Sequence, residues 1–338
     1  MIKGNKHVKI NMKKQKNQAV TIITLTTLLS ALALVSADAA PWNASVGAQS
    51  NDKGFQALAF LPNEIWIHAG DRITWTFDAD EIHTLTFLIA DQPRPFFADG
   101  CPGFSMDPAT YDGSTCVTTP PMVRGQTFTV IFPAAGNFKL VCLVHENMDG
   151  RIHVLDLSEP LPHDQAFYNE QADSQRNELL SDARNDVHAA HALPNSSHGV
   201  TAGAGEVTAN AGGSRTVSAL RFSHGSIKIS AGQTVEWDNQ DPVTPHTITF
   251  GPEPPDLVDP SPDVTVDPDG ARHAIIDSTS DSTHSGFIVA APQERLGLPQ
   301  APLGVTRFRV TFPNAGTFPY ICALHDDLGM TGTVIVHH

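Results

Sequence analysis

With 338 residues and 41% hydrophobic content, the chain is long enough for two ordinary domains and a linker, and too apolar for a disordered one. Its 25 Gly and 25 Pro predict frequent turns, and so a β-rich fold rather than a helical one. A formal charge of −15 argues against nucleic acid and anionic membrane surfaces as electrostatic partners.

The chain opens on Lys3, Lys6, Lys9, Lys13, Lys14 and Lys16, followed by an apolar stretch from Ala19 to Val35 and the small-x-small triplet Ala37-Asp38-Ala39. This order predicts a bacterial-type signal peptide over residues 1–39, and a periplasmic or secreted protein. An uncleaved anchor helix is the competing reading, but the apolar core is short for one. Cleavage removes six Lys and one acid, leaving 15 Lys plus Arg against 35 Asp plus Glu, a balance of −20. That charge suits docking to a basic partner, or serves solubility alone. No later apolar run is long enough to span a bilayer.

Beyond residue 40 the sequence repeats. Residues 65–75 align with 227–237, each carrying an Ala-Gly turn and closing on a tryptophan, Trp75 or Trp237. His83 follows Gly70 by thirteen positions, and His246 follows Gly232 by fourteen. Residues 128–138 match 308–318 in the same order. These blocks alternate apolar and polar residues and are rich in Val, Ile, Thr and Phe, the pattern of strands with one buried face. Several short strands per half predict two β-sandwiches, with Trp75 and Trp237 as core anchors.

Between the blocks of the first half lies a Gly/Pro/Asp-rich insertion holding Cys101 and Cys116. In an oxidising compartment a Cys101–Cys116 disulfide is the expected state, stabilising by about 3 kcal/mol in the chain-entropy account. Two free thiols or part of another metal site are the alternatives. Residues 164–193 contain no Pro or Gly and lie between Pro162 and Pro194, which predicts a helix. Its apolar positions Phe167, Leu179, Leu180 and Val187 are sparse, so loose packing is expected. His188 and His191 fall on one helical face, with His163 and His198 nearby, as a candidate accessory metal group or simply solvated side chains. Residues 195–206 read as flexible linker. His68, His153, His224, His273 and His284 lack a pairing signal and are expected at the surface, and His337 and His338 at a loose end.

Each half ends in a metal-type cluster: Cys142, His145 and Met148 in the first, Cys322, His325 and Met330 in the second. With His83 or His246 approaching from upstream, each half offers a thiolate, two imidazoles and a thioether. A soft sulfur, two imidazoles and a weak axial thioether suit a trigonal copper site for electron transfer. Zinc would accept the cysteine and histidines, but Met is a poor zinc ligand.

These residues resemble the cupredoxins, the blue (type 1) copper proteins. Cys322-x2-His325-x4-Met330 has a spacing similar to plastocyanin, and Cys142-x2-His145-x2-Met148 the shorter spacing of amicyanin. His83 and His246, with Phe87 and Phe250 after them, resemble the family's upstream block, although Thr84 and Thr247 stand where many members have Asn. The resemblance implies an all-β chain of two tandem Greek-key β-sandwich domains, 40–157 and 207–338, joined by a partly helical linker, 158–206. It leaves out that linker and the insertions near 91–125 and 251–300. It also implies two copper ions: one held by His83, Cys142, His145 and Met148, the other by His246, Cys322, His325 and Met330. His145 and His325 are then expected near the surface as electron exits.

Two-domain cupredoxins also include copper nitrite reductases and small laccases. The second copper centre that such enzymes need calls for a histidine beside the cysteine. Here Val141 and Leu143 flank Cys142, and Ile321 and Ala323 flank Cys322. The nitrite reductase pattern places a further histidine five positions after the upstream ligand, where this chain has Leu88 and Gly251. The expectation is an electron carrier, not an enzyme, with periplasmic copper buffering or delivery as the alternative.

Overall fold

The computed structural model describes residues 40–95, 101–192, 198–290 and 305–338; of residues 186–192 only the backbone is described. The expected signal peptide lies outside the described residues. In chain order the first half holds β1 (Pro41–Gln49), β2 (Phe55–Leu61), β3 (Glu64–His68), β4 (Arg72–Phe77), β5 (Thr86–Phe87), β6 (Ala109–Thr110), β7 (Val117–Thr118), β8 (Thr127–Ile131), β9 (Gly136–Val141) and β10 (Asp149–Leu155). After α1 (Gln165–Ala192) come β11 (Gly199–Asn210), β12 (Gly213–Phe222), β13 (Ser226–Ser230), β14 (Gln233–Gln240), β15 (Thr249–Phe250), β16 (Thr265–Val266), β17 (Arg272–Ile275), β18 (Thr283–His284), β19 (Arg307–Phe312), β20 (Gly316–Ile321) and β21 (Thr331–His337).

The period-two pattern becomes burial directly. Ile73, Trp75 and Phe77 of β4 point inward, as do Ile227 and Ile229 of β13. Trp75 and Trp237 are fully buried, one in the core of each half. Two five-stranded sheets, β3-β10-β9-β5-β7 and β13-β21-β20-β15-β18, have the same strand order and back the two halves of one larger sheet. The fold is all-β sandwich, as expected.

That larger sheet is continuous across both halves. Its order is β16-β17-β19-β14-β11-β12-β2-β1-β4-β8-β6, and its middle is the antiparallel pair β12–β2, with Val217 opposite Ala57 and Ser218 opposite Gln56. Each half thus closes the edge strand of the other, which removes two exposed edges. Residues Ala39–His338 form one compact unit.

The helix forms where expected but packs firmly. Asp164 caps it, its Oδ1 accepting from Phe167 N–H at 3.0 Å. Tyr168, Ala172, Gln175, Leu179 and Ala183 recur at helical spacing and are buried, whereas Phe167 is exposed. This face carries alanines and polar tips, so a count of large apolar residues misses it. Ala172, Leu179 and Ala183 pack on Ala48, Ala57, Ala59 and Leu61 of the first half and Val217 of the second, a third small core over the seam. The flexible linker expected at 195–206 is corrected from residue 199 on, and its residues 195–197 lie outside the described residues. From Gly199 the chain is β11, parallel to β14, and small residues such as Ala202 and Ala204 are what a strand buried on both faces holds.

The disulfide Cys101–Cys116 is formed. Several histidines expected at the surface have partners instead. His284 is buried and bonded to Thr249 Oγ1 at 2.8 Å; His153 stacks on Trp66 and meets Glu64 at 3.0 Å; His273 meets Asp267 at 3.2 Å. His337 is not a loose end but pairs with Ser230 in β21. His163 stacks on Phe167 with ring centroids 3.6 Å apart, and the side chains of His188 and His191 lie outside the described residues.

Candidate metal centres

Each centre is built at one end of its sandwich by the same local device. The strand β9 delivers Cys142 and the strand β20 delivers Cys322, immediately after their last residues. The chain turns back and re-enters the sheet directly after Met148 or Met330. The loop is closed by the backbone, with Cys142 N–H donating to Met148 O and Cys322 N–H to Met330 O, both at 3.0 Å. The upstream histidines are pinned by two backbone bonds each. His83 pairs with Met122 and His246 with Ile288 as isolated bridges.

The structure brings His83, Cys142 and His145 together, and His246, Cys322 and His325, with the donor atoms of each group within 4.8 Å of one another. In the first centre His145 Nδ1 lies 3.2 Å from His83 Nδ1 and 3.9 Å from Cys142 Sγ. In the second, Cys322 Sγ lies 3.4 Å from His325 Nδ1 and 3.8 Å from His246 Nδ1. The ring pairs match closely: centroids are 5.0 Å apart at 60° in the first and 5.1 Å apart at 65° in the second. All six side chains are buried, and so are those of Met148 and Met330 at the loop ends. Two imidazole nitrogens converging on a buried sulfur form a donor set that fits a soft or borderline cation.

Electrostatics favour the ionised sulfur. Burial pushes the Cys142 thiol up, but hydrogen bonds and charge from His145 and His83 outweigh it and hold the thiol well below its ordinary range. Cys322 behaves alike, with the charge of His325 and the hydrogen bond to His246 leading the effects that outweigh burial. Backbone donors also face the sulfurs: Thr84 N–H and His145 N–H at 3.5 Å from Cys142 Sγ, and Thr247 N–H at 3.4 Å from Cys322 Sγ. The two threonines strap the loops as well. Leu143 N–H donates to Thr84 Oγ1 at 2.7 Å, and Ala323 N–H to Thr247 Oγ1 at 2.8 Å.

The outward ring nitrogens meet residues that sequence reading had not singled out. His83 Nε2 and His246 Nε2 press on Gly47 and Gly203, which have φ of +68° and +78° at bulges of β1 and β11. His246 Nε2 also stands 3.8 Å from Asp241 Oδ2, an ion-pair contact too long for a hydrogen bond. Asp241 is itself fixed by Ser218 Oγ at 2.6 Å and by two backbone N–H groups.

His145 and His325 are not near the surface, contrary to expectation. The seam between the halves buries both, and both face one carboxylate. His145 Nε2 lies 3.3 Å from Glu81 Oε1, and His325 Nε2 lies 3.7 Å from Glu81 Oε2. Glu81 is itself buried. Burial pushes its carboxyl up, but the hydrogen bond from His145 and the charge of His325 bring it down to about 2. An acid two positions before a candidate ligand in a strand-rich segment was the signal available for it. Other contacts brace the loops across the seam. Thr216 Oγ1 donates to Asn147 O at 3.2 Å, and Arg221 donates to Leu328 O at 2.8 Å and to Asp52 O at 2.6 Å. Within the first half, Arg94 donates to Cys142 O at 2.8 Å.

Residues 206–337 match the family described as copper binding proteins, plastocyanin/azurin family. Among solved structures the chain is similar to amicyanin. A reduced Cu(I) form of an amicyanin mutant at pH 4 is 16% identical over 34% of this chain and 82% of that one, with a TM-score of 0.24. The oxidized state of another amicyanin mutant is 18% identical over 36% and 88%, with the same TM-score of 0.24. The His/Cys/His group of the second half recurs in the first half with the same strand order around it.

Proposed function

We propose that this is an exported di-copper electron-transfer protein with two type 1 sites. The observation that carries the reading is the pair of buried clusters, alike in ring angle, in loop closure and in threonine strap, one in each half. His83, Cys142, His145 and Met148 would hold one ion; His246, Cys322, His325 and Met330 would hold the other. The bound copper supplies one-electron chemistry. The chain's own residues hold the imidazoles and the sulfur on bridged strands, exclude water, and keep the sulfur ionised, so little has to move when charge changes.

Burial of all six donor side chains supports a fixed redox ion over copper delivery, for which exposed ligands are the expectation. The absence of a histidine beside either cysteine supports a carrier over an oxidase or a nitrite reductase. Export rests on the N-terminal pattern of residues 1–39, and docking to a basic redox partner on the acidic balance. Among the described residues no helix is long and apolar enough to cross a membrane.

Metal analysis with visible and electron-paramagnetic spectroscopy tests the reading. Two coppers per chain and an intense blue or green colour in the oxidised state are expected. A colourless oxidised holoprotein, or sustained turnover of nitrite or of a phenol with oxygen, overturns it.

A further inference from the structure

Glu81 faces both centres at once. Its two oxygens point at the outer nitrogens of His145 and His325, one from each half, inside the buried seam. In each candidate centre the inner nitrogen, Nδ1, is turned to the sulfur, which leaves Nε2 to carry the proton and donate outward. A carboxylate that accepts from the outer N–H of a ligating histidine fixes the ring and raises its basicity. Here a single carboxylate stands within hydrogen-bond reach of one such ring, at 3.3 Å from His145 Nε2, and in ion-pair contact with the other, at 3.7 Å from His325 Nε2.

The fold explains how. The seam pairs β2 with β12 antiparallel, the second strands of the two sandwiches, so corresponding ends of the halves meet. The segments before each upstream histidine then cross over. Val243 packs into the core of the first half, and Glu81 reaches His325 of the second. Two positions before the upstream histidine stands Glu81 in the first half and Thr244 in the second, so the crossing carries one carboxylate and not a repelling pair.

We propose that Glu81 is a positioning residue that couples the two centres, and that an electron passes between them inside the chain along His145, the Glu81 carboxylate and His325. This rests on the di-copper reading above. In the step one centre loses an electron as the other gains it; no bond forms or breaks and no co-reactant is needed. His145 and His325, which cupredoxin resemblance assigns to exchange with outside partners, serve in this chain to exchange with each other.

The test uses the copper-loaded full chain. After rapid reduction by a substoichiometric pulse, the wild type is expected to show a redistribution phase between the centres whose rate does not depend on protein concentration. Glu81→Gln keeps the volume, but its amide nitrogen must face one of the two N–H donors, so at least one link breaks. The redistribution phase should slow by about tenfold or more. In the single-centre backgrounds Cys142→Ser and Cys322→Ser, Glu81→Ala should raise the reduction potential of whichever centre remains, because an anionic acceptor is lost from both. Copper count and circular dichroism check that the variants are folded and loaded. A loaded wild type without the redistribution phase overturns the coupling whatever the variants do. So does an unchanged phase in loaded Glu81→Gln, or a potential that shifts at one centre only. A wild type that loads no blue centres overturns the di-copper reading and the coupling together.

Discussion

Replacing Gly203 by alanine should empty the second centre and spare the first. An added Cβ there would stand 2.0 Å from His246 Nε2 and 2.6 Å from its Cδ2, against a floor of 3.0 Å for real contacts of this kind. The ring must therefore retreat by about 1 Å, and metal–ligand distances tolerate only about 0.2 Å. His246 has nowhere to go. It is fully buried, and its backbone is bonded both ways to Ile288 at 3.0 and 2.8 Å. The φ of +78° adds about 1 kcal/mol of strain for any residue with a Cβ, and overpacking about 1–3 kcal/mol more. Copper per chain, measured with the visible band of each centre, should fall from about two to about one, with near-ultraviolet circular dichroism retained. At Gly47 the Cβ would sit 2.5 Å from His83 Nε2, a smaller overlap, so Gly47→Ala should distort the first centre's spectrum more than empty it. Gly203→Ala protein with two coppers and an unchanged spectrum would refute the claim that the glycine sets the position of the upstream histidine.

Cys142→Ser should remove one blue centre and leave the other, read by copper count and absorbance; loss of both would show that the centres do not assemble independently. Leu179→Ala should lower stability by about 3–4 kcal/mol in urea unfolding, because its neighbours Ala48, Ala57 and Ala59 are too short to close the cavity. A change under about 1 kcal/mol would mean that the helix does not clamp the seam. In the copper-free protein, Glu81 has its carboxyl lowered from 4.5 to about 2, so its contribution is complete above about pH 4.5 and lost as pH falls through about 2. That contribution is on the order of 3 kcal/mol, and urea midpoints measured against pH should show a shallower acid decline in Glu81→Gln than in the wild type. On the alkaline side the raised His145, about 9, and the lowered Cys142 offset each other, since the folded pair binds as many protons as the unfolded one between about pH 6.5 and 9. No slope is expected there from this pair. Electron transfer to a basic partner should slow as salt rises, and a rate indifferent to salt would count against acidic docking.

Features encoded at short range or by repetition were legible in the chain. Cys142 and His145, or Cys322 and His325, are three positions apart on one loop, and strand alternation around Trp75 and Trp237 reads as burial because the side-chain period of a strand is two. The upstream His83 and His246 were legible because the same block occurs twice. Tertiary structure alone decided the seam. Which edge strand meets which is a choice among surfaces of similar pattern: β2 and β12 are buried on both faces, and nothing in either names the other as its partner. The helix face of Tyr168, Ala172 and Leu179 was hidden for a related reason: it fits a shallow alanine-lined surface and needs few large side chains. Glu81 is the sharpest case. Nothing local distinguishes it from other acids of an acidic chain, and its meaning comes from two histidines, 64 and 244 residues downstream, that only the meeting of the halves brings to the same carboxylate.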